Sequence, residues 1–362
     1  MASKNPSTIV DLAGLELQEV EQLVEDAGEP RFHGRQIFRW IWEKGVTDFD
    51  GMTNLARSLR DKLPNIARVS SPVVETRQTS SDGTTKFLLR LEDGRHIEAV
   101  FIPDTPAQTF CISTQVGCAM KCAFCLTGQM GLLRHLTAAE IASQVRILAH
   151  ETGLAGSAFN IVLMGMGEPL HNYDATMKAI RILADKQGLA LPPKRVTLST
   201  VGILPELEKL AAEELMPNLA ISLHATTNEM RDRLVPINRK FTLEDLIEAC
   251  RRFPLAKRRR ITFEYVMLDQ INDTPDDARR LVRLLNGIKA KVNLLPLNEA
   301  AGIPFSRPSD ARVNEFARIL AERDVLVSVR KSRGRDIRAA CGQLIVEGTD
   351  RSPGQKLGAS LN

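Results

Sequence analysis

From Pro106 to Val346 the chain alternates apolar runs of strand length with amphipathic stretches of helical length, and this alternation restricts the fold more than any other feature. Candidate strands are TFCISTQ, FNIVLMG, RVTLST, NLAISLH, RITFEYVM and KVNLLPLN, with VLVSVR as a seventh. Two of the intervening helices open with a capping-box pattern, Thr137 with Glu140 and Thr242 with Asp245. Repeated strand, helix, strand units imply a parallel sheet, because each crossover returns the chain in the same direction. Six or seven units in about 230 residues suit an α/β fold of the partial (β/α)6 barrel type, with a doubly wound open sheet as the alternative.

The chain ahead of that region has two other periodicities. In LELQEVEQLVEDAG, Leu17, Val20 and Val24 share a helical face that Gly28 closes, and in RQIFRWIWEKG Ile37, Trp40 and Ile41 do the same before Gly45. A third helix is expected from Leu55, Leu59 and Leu63. Next, VVETRQT, TTKFLLRL and RHIEAVFIP read as strands separated by two Asp-Gly turns, a three-stranded meander. The expected organisation is a helical accessory domain over 1–70, a β extension over 71–104, a core domain over 105–346 and a loose polar tail over 347–362.

The N-terminal MASKNPSTIVDLAG has no apolar stretch after its lysine, and no apolar run has the length of a membrane span. A cytoplasmic protein is expected, with no membrane partner. In that reducing compartment six cysteines argue for metal or catalysis over structural disulfides. Four of them crowd into FCISTQVGCAMKCAFCL. Cys118, Cys122 and Cys125 have the CxxxCxxC spacing of one metal site, whereas Cys111 lies seven residues upstream of Cys118. Three thiolates suit a 4Fe–4S cluster with one iron left open. A zinc site closed by Cys111 competes with it, in a non-catalytic RNA-binding module. One βα unit later, LMGMGEPL ends a strand in glycines that allow close approach of a ligand, followed by Glu168, a carboxylate for an ammonium group.

This pair of features resembles the radical S-adenosylmethionine (SAM) enzymes. Within them, RQIFRWIWEKGVTDFDGMTNL, IEAVFIP, CISTQVGCAMKCAFC, LMGMGEPL, ISLHATTNEMRDRLVPIN and RGRDIRAACGQL are similar to the RlmN/Cfr family of RNA adenine methyltransferases. The resemblance implies one 4Fe–4S cluster per subunit on Cys118, Cys122 and Cys125. It also implies SAM bound by Glu168, Pro169, Thr200, Ser222, Leu223, His224 and Asn298, with two SAM molecules consumed per methylation.

Two further thiols then have roles. By the same resemblance Cys341 takes a methyl group, which loses hydrogen to a SAM-derived radical and adds to adenine C2. Glu98 removes the C2 proton, and Cys111 attacks the Cys341 sulfur, leaving a transient disulfide for an external reductant. On its own a carboxylate such as Glu98 on a strand usually faces solvent. Arg333, Arg335 and Arg338 upstream of Cys341 would favour its thiolate, while Cys250 reads as structural. Implied substrates are an adenosine in the peptidyl-transferase region of 23S rRNA and the adenosine beside the anticodon in a subset of tRNAs, with a monomeric enzyme. Methylation of adenine C8, as in the Cfr branch, is the nearer alternative. The basic runs KRRR at 257–260 and KSRGRDIR at 331–338 contact RNA only if they flank the site.

Overall fold

The structure is a computed structural model that describes residues 9–103 and 108–346. The tail expected over 347–362 lies outside the described residues. Ten strands form the main sheet, numbered here in chain order: β1 Val73–Thr79, β2 Thr85–Arg90, β3 His96–Ile102, β4 Thr109–Cys111, β5 Asn160–Leu163, β6 Val196–Thr200, β7 Asn218–Ser222, β8 Ile261–Met267, β9 Ala290–Pro296 and β10 Leu326–Val329. From β4 to β10 every neighbouring pair is parallel and adjacent in sequence order. A doubly wound sheet would reverse its strand order at a switch point. This one never does, so the partial barrel stands and the open-sheet alternative falls.

The crossovers are the amphipathic segments read from sequence: Ala138–Glu151, Tyr173–Ala184, Leu204–Ala211, Leu243–Arg252, Pro275–Leu285 and Asp310–Ala321. Thr137 and Glu140 form a reciprocal capping box. Thr242 accepts from the Asp245 amide, but its hydroxyl donates to the Asp245 carboxylate at 2.7 Å, so the second half of that box is rewired. Thr274 with Asp277 makes a full box that the sequence reading passed over.

The meander β1–β3 is antiparallel and continues the barrel sheet, since β3 pairs antiparallel with β4 and Val100 lies opposite Cys111. Side chains alternate along a strand, so Glu98, two positions from Val100, shares the sheet face of Cys111. Among the described residues no pairing joins β10 back to β1. The N-terminal helices Leu17–Asp26 and Phe32–Trp42 pack against the outer helices of the barrel. Lys178 pairs with Glu19 and Arg181 with Glu16, each at 2.8 Å, while Arg146 sits 5.5 Å from the Trp42 ring. Trp42, rather than the expected Trp40, is the buried tryptophan. The third helix is only Arg57–Lys62, with Leu63 in the turn after it.

Candidate active site

Every strand of the barrel, or the loop that follows it, reaches one cavity. Its walls carry Cys118, Cys122 and Cys125 from the loop after β4, Glu168 after β5, Ser222 and His224 at the end of β7, Asn298 after β9, and Cys341. A second cavity adjoins it, lined by Cys111, Cys341, Asn298 and Arg330 among others. Cys341 and Asn298 therefore belong to both. The fourth cysteine of the cluster stretch faces the second cavity and not the CxxxCxxC loop, so the zinc site closed by Cys111 lacks its fourth ligand.

Burial dominates the electrostatics. It pushes the Cys118 thiol up to about 12 and raises Cys122 and Cys125 as well, neighbouring thiols adding to the effect on Cys122. Such thiols stay protonated unless a bound cation compensates the buried charge, which is the condition a metal cluster meets. Among the described residues no three His, Cys, Asp or Glu groups converge as a single-ion site. Three thiols set around a volume, with no fourth cysteine from their own loop, fit a cluster that keeps one iron open.

The strand tip bearing Glu168 is built by close approach. At Gly167, with φ +106°, a Cβ would lie 2.7 Å from the Gln115 Cβ, and at Gly165 one would lie 2.7 Å from the Ile112 oxygen. The missing side chains thus let β5 press against the chain leaving β4, and both glycines also line the cavity. The buried Gln115 accepts from the Glu168 amide at 2.9 Å and contacts His135 and His171 through its Nε2. The Glu168 carboxylate accepts from Leu170 N at 3.0 Å and Val201 N at 2.9 Å. Burial raises its pKa to about 7 against the pull of hydrogen bonds from Thr200, Val201 and Leu170.

Not every expected SAM contact lines the cavity. Pro169 starts a short 3-10 turn behind Glu168, and the Thr200 hydroxyl is engaged with Glu168 and with Gly202 N. Leu223 points into the core, as the alternation of Ser222, Leu223 and His224 requires. His224 adopts φ +61°, and its Nδ1 accepts from Val266 N at 3.0 Å, which puts the ring proton on Nε2. Burial lowers the His224 pKa to about 3, so the ring is neutral. Asn298 Nδ2 donates to the Cys341 carbonyl, while its buried Oδ1 has no protein partner.

Glu98 is 4% exposed, which overturns the solvent-facing reading. Its carboxylate pairs with Lys86 at 2.8 Å and accepts from Ile345 N at 2.8 Å. It lines a third cavity, between the meander and the 336–346 segment, and neither of the two that hold the thiols. Cys341 is solvent-accessible inside its cavity yet enclosed by protein, and burial raises its pKa, with Arg330 opposing and Glu264 adding. The thiolate-favouring arginine is therefore Arg330, at the end of β10, and not Arg333, Arg335 or Arg338. Burial likewise raises Cys111. Cys250 is buried in the core cluster.

Sequence reading missed several residues here. Glu264 and Arg330 lie on strands β8 and β10 or at their ends, where the period-2 alternation is the available signal. Arg231 had none. Fully buried, it donates to the carbonyls of Val201 at 2.7 Å, Ser222 at 3.3 Å and Leu223 at 3.2 Å, and so ties β6 to β7.

Comparison with known proteins places these features in context. Residues 112–285 match the model of the radical SAM superfamily, and residues 10–69 match that of the ribosomal RNA large subunit methyltransferase N-terminal domain. The chain is 49% identical over 337 residues to the dual-specificity RNA methyltransferase RlmN of Geobacter sulfurreducens, covering 93% of this chain and 92% of that protein. It is 49% identical over 334 residues to the protein of the same name from Pelobacter propionicus, covering 92% and 95%. A solved radical SAM methyltransferase from Sphaerobacter thermophilus superposes with a TM-score of 0.89 at 44% identity, covering 92% of this chain and 99% of that one.

Proposed function

The chain belongs to the RlmN family of radical SAM RNA methyltransferases, and from that membership we propose how its residues divide the methylation of adenosine in 23S rRNA and tRNA. The product carries the new methyl group at adenine C2. Cys118, Cys122 and Cys125 would hold one 4Fe–4S cluster, which when bound would supply the one-electron chemistry for SAM cleavage. Around it, Glu168 receives the SAM ammonium and the neutral His224 offers its Nε2–H. Ser222 supplies a hydroxyl, and the free Oδ1 of Asn298 accepts. Pro169, Thr200 and Leu223 act behind these, by shaping the strand ends.

Two SAM molecules serve each turnover. The Cys341 sulfur takes a methyl group from the first and gives up its proton; the second provides the radical that removes hydrogen from that methyl. After the methylene carbon has bonded to adenine, the adduct radical gives up one electron, which an oxidised cluster, when bound, would accept, and Glu98 takes the C2 proton. Its hydrogen bond to Ile345 couples it to the segment that carries Cys341. The Cys111 thiolate then attacks the Cys341 sulfur; the bond from that sulfur to the adenine-bound methylene breaks, the carbon takes a proton to become the methyl group, and an external dithiol reduces the resulting Cys111–Cys341 disulfide. The enzyme acts as a monomer in the cytoplasm, where both RNAs reside.

The observation that carries this reading is the position of Cys341, shared between the cavity of the three clustered thiols and the cavity of Cys111. Substituting the two outlying thiols tests it. Cys111→Ala should accumulate a covalent protein–RNA species through Cys341, stable to denaturant and trimmed by nuclease to a nucleotide-sized mass. Cys341→Ala should form none. If Cys111→Ala turns over at the wild-type rate, or if Cys341→Ala is the variant that traps RNA, the assignment is wrong.

A further inference from the structure

The segment between β10 and the end of the described chain carries Cys341 and has few regular contacts of its own, yet it is tied down at both ends. On the meander side, Asp82 Oδ2 accepts from Gly334 N at 3.0 Å. Asp336 accepts from the Ser80 hydroxyl at 2.6 Å and from Ser81 N at 3.2 Å. Gly334 has φ +63°, and a Cβ there would lie 2.7 Å from the Ala339 Cβ and 2.9 Å from Thr84 Cγ2. Ala339 N then bonds to the Gly334 carbonyl at 2.8 Å, two residues before Cys341. On the barrel side, Leu126 N donates to the Gly342 carbonyl at 2.9 Å and the Thr127 hydroxyl donates to the Leu344 carbonyl at 2.6 Å. Arg338 at φ +52° and Gly342 at φ +82° bracket the residues between these ties.

We propose that the β1–β2 turn, Ser80 to Thr84, is a latch that positions Cys341 where its two cavities meet, with Asp82 and Asp336 as the positioning residues. The latch touches neither SAM nor thiol. It fixes one foot of a short arch whose other foot is the helix after the CxxxCxxC loop, so the Cys341 sulfur sweeps a small arc that reaches both cavities. Cut loose from the meander, the arch samples many more positions and the sulfur meets Cys111 less often. The hydrogen bonds from Ser80 and Ser81 also hold the Asp336 carboxyl below the usual range, consistent with a charged acceptor. The role in turnover rests on the reading of Cys341 as the methyl carrier.

The test is the rate at which diamide joins Cys111 to Cys341 in anaerobically purified enzyme. In that reaction two thiols lose their hydrogens to the reagent, which becomes a hydrazine. Asp336→Ala and Ser80→Ala should slow the cross-link roughly tenfold, with iron content and thermal midpoint unchanged. Asp336→Asn keeps an acceptor for the Ser80 hydroxyl and should recover most of the rate. A wild-type rate in Asp336→Ala overturns the latch. Slowed cross-linking with undiminished RNA methylation upholds the latch and overturns Cys341 as the methyl carrier.

Discussion

Glu168 carries the pH signature of the site. Its folded pKa of about 7 lies above the ordinary carboxyl value of 4.5, so the buried side chain is protonated below neutrality and ionised above it. Two consequences share that sign. As pH rises from 4.5 through 7 the folded state bears a growing cost for the buried charge, so this group contributes most to stability at acid pH and least above 7. A SAM ammonium favours the ionised form, so affinity for SAM should rise roughly tenfold between pH 6 and pH 8. Titration calorimetry with SAM at the two values would show it, and Glu168→Gln should flatten the difference. A pH-independent affinity in the wild type would remove Glu168 from the ammonium. Its place on the cavity wall was legible from the motif, but its protonation was not. The raised pKa comes from burial by parts of the chain distant in sequence, against the opposing hydrogen bonds from Thr200 and Val201. The same gap explains Cys341, where arginines close in sequence were credited and the spatially close Arg330 was not.

At the level of elements, the seven barrel strands were legible because each is an apolar run ended by a polar or small residue. The first was read too long. TFCISTQ breaks after Cys111, where the Ser113 hydroxyl donates to Glu98 O of β3 at 2.6 Å and Thr114 N donates to Met166 O, just beyond β5, at 2.8 Å. Those are long-range partners, and no local pattern encodes them. The same close approach makes Gly167 indispensable. Gly167→Ala would place a methyl 2.8 Å from Gln115 N at a backbone angle only glycine adopts readily, so about 2–4 kcal/mol of stability should be lost. Denaturant unfolding would measure it. A loss below about 0.5 kcal/mol would mean that the strand tip is looser than the structure places it.

For the molecule as a whole, the two basic runs separate by the polarity of the barrel. Residues 257–260 precede β8 and so lie at the N-terminal end of the strands, away from the cavities. Arg259 there is spent on the carbonyls of Met216 and Pro217. Residues 330–333 follow β10 and line the cavity of Cys111 and Cys341. Exchanging Lys331 and Arg333 for alanine should therefore flatten the salt dependence of RNA binding by roughly 0.7 per phosphate lost, while exchanging Arg258 and Arg260 should leave the slope alone. Equal effects from both pairs would mean that RNA wraps the far end of the barrel. Strand order has one more consequence. Because neighbours in the barrel are also successive in the chain, synthesis delivers the site in sequence. Cys118, Cys122 and Cys125, the proposed cluster ligands, leave the ribosome more than two hundred residues ahead of Cys341, a lag of roughly 10–40 s at ordinary elongation rates. Throughout that interval a nascent chain would present the proposed cluster cysteines before Cys341, which lines the same cavity, has been made.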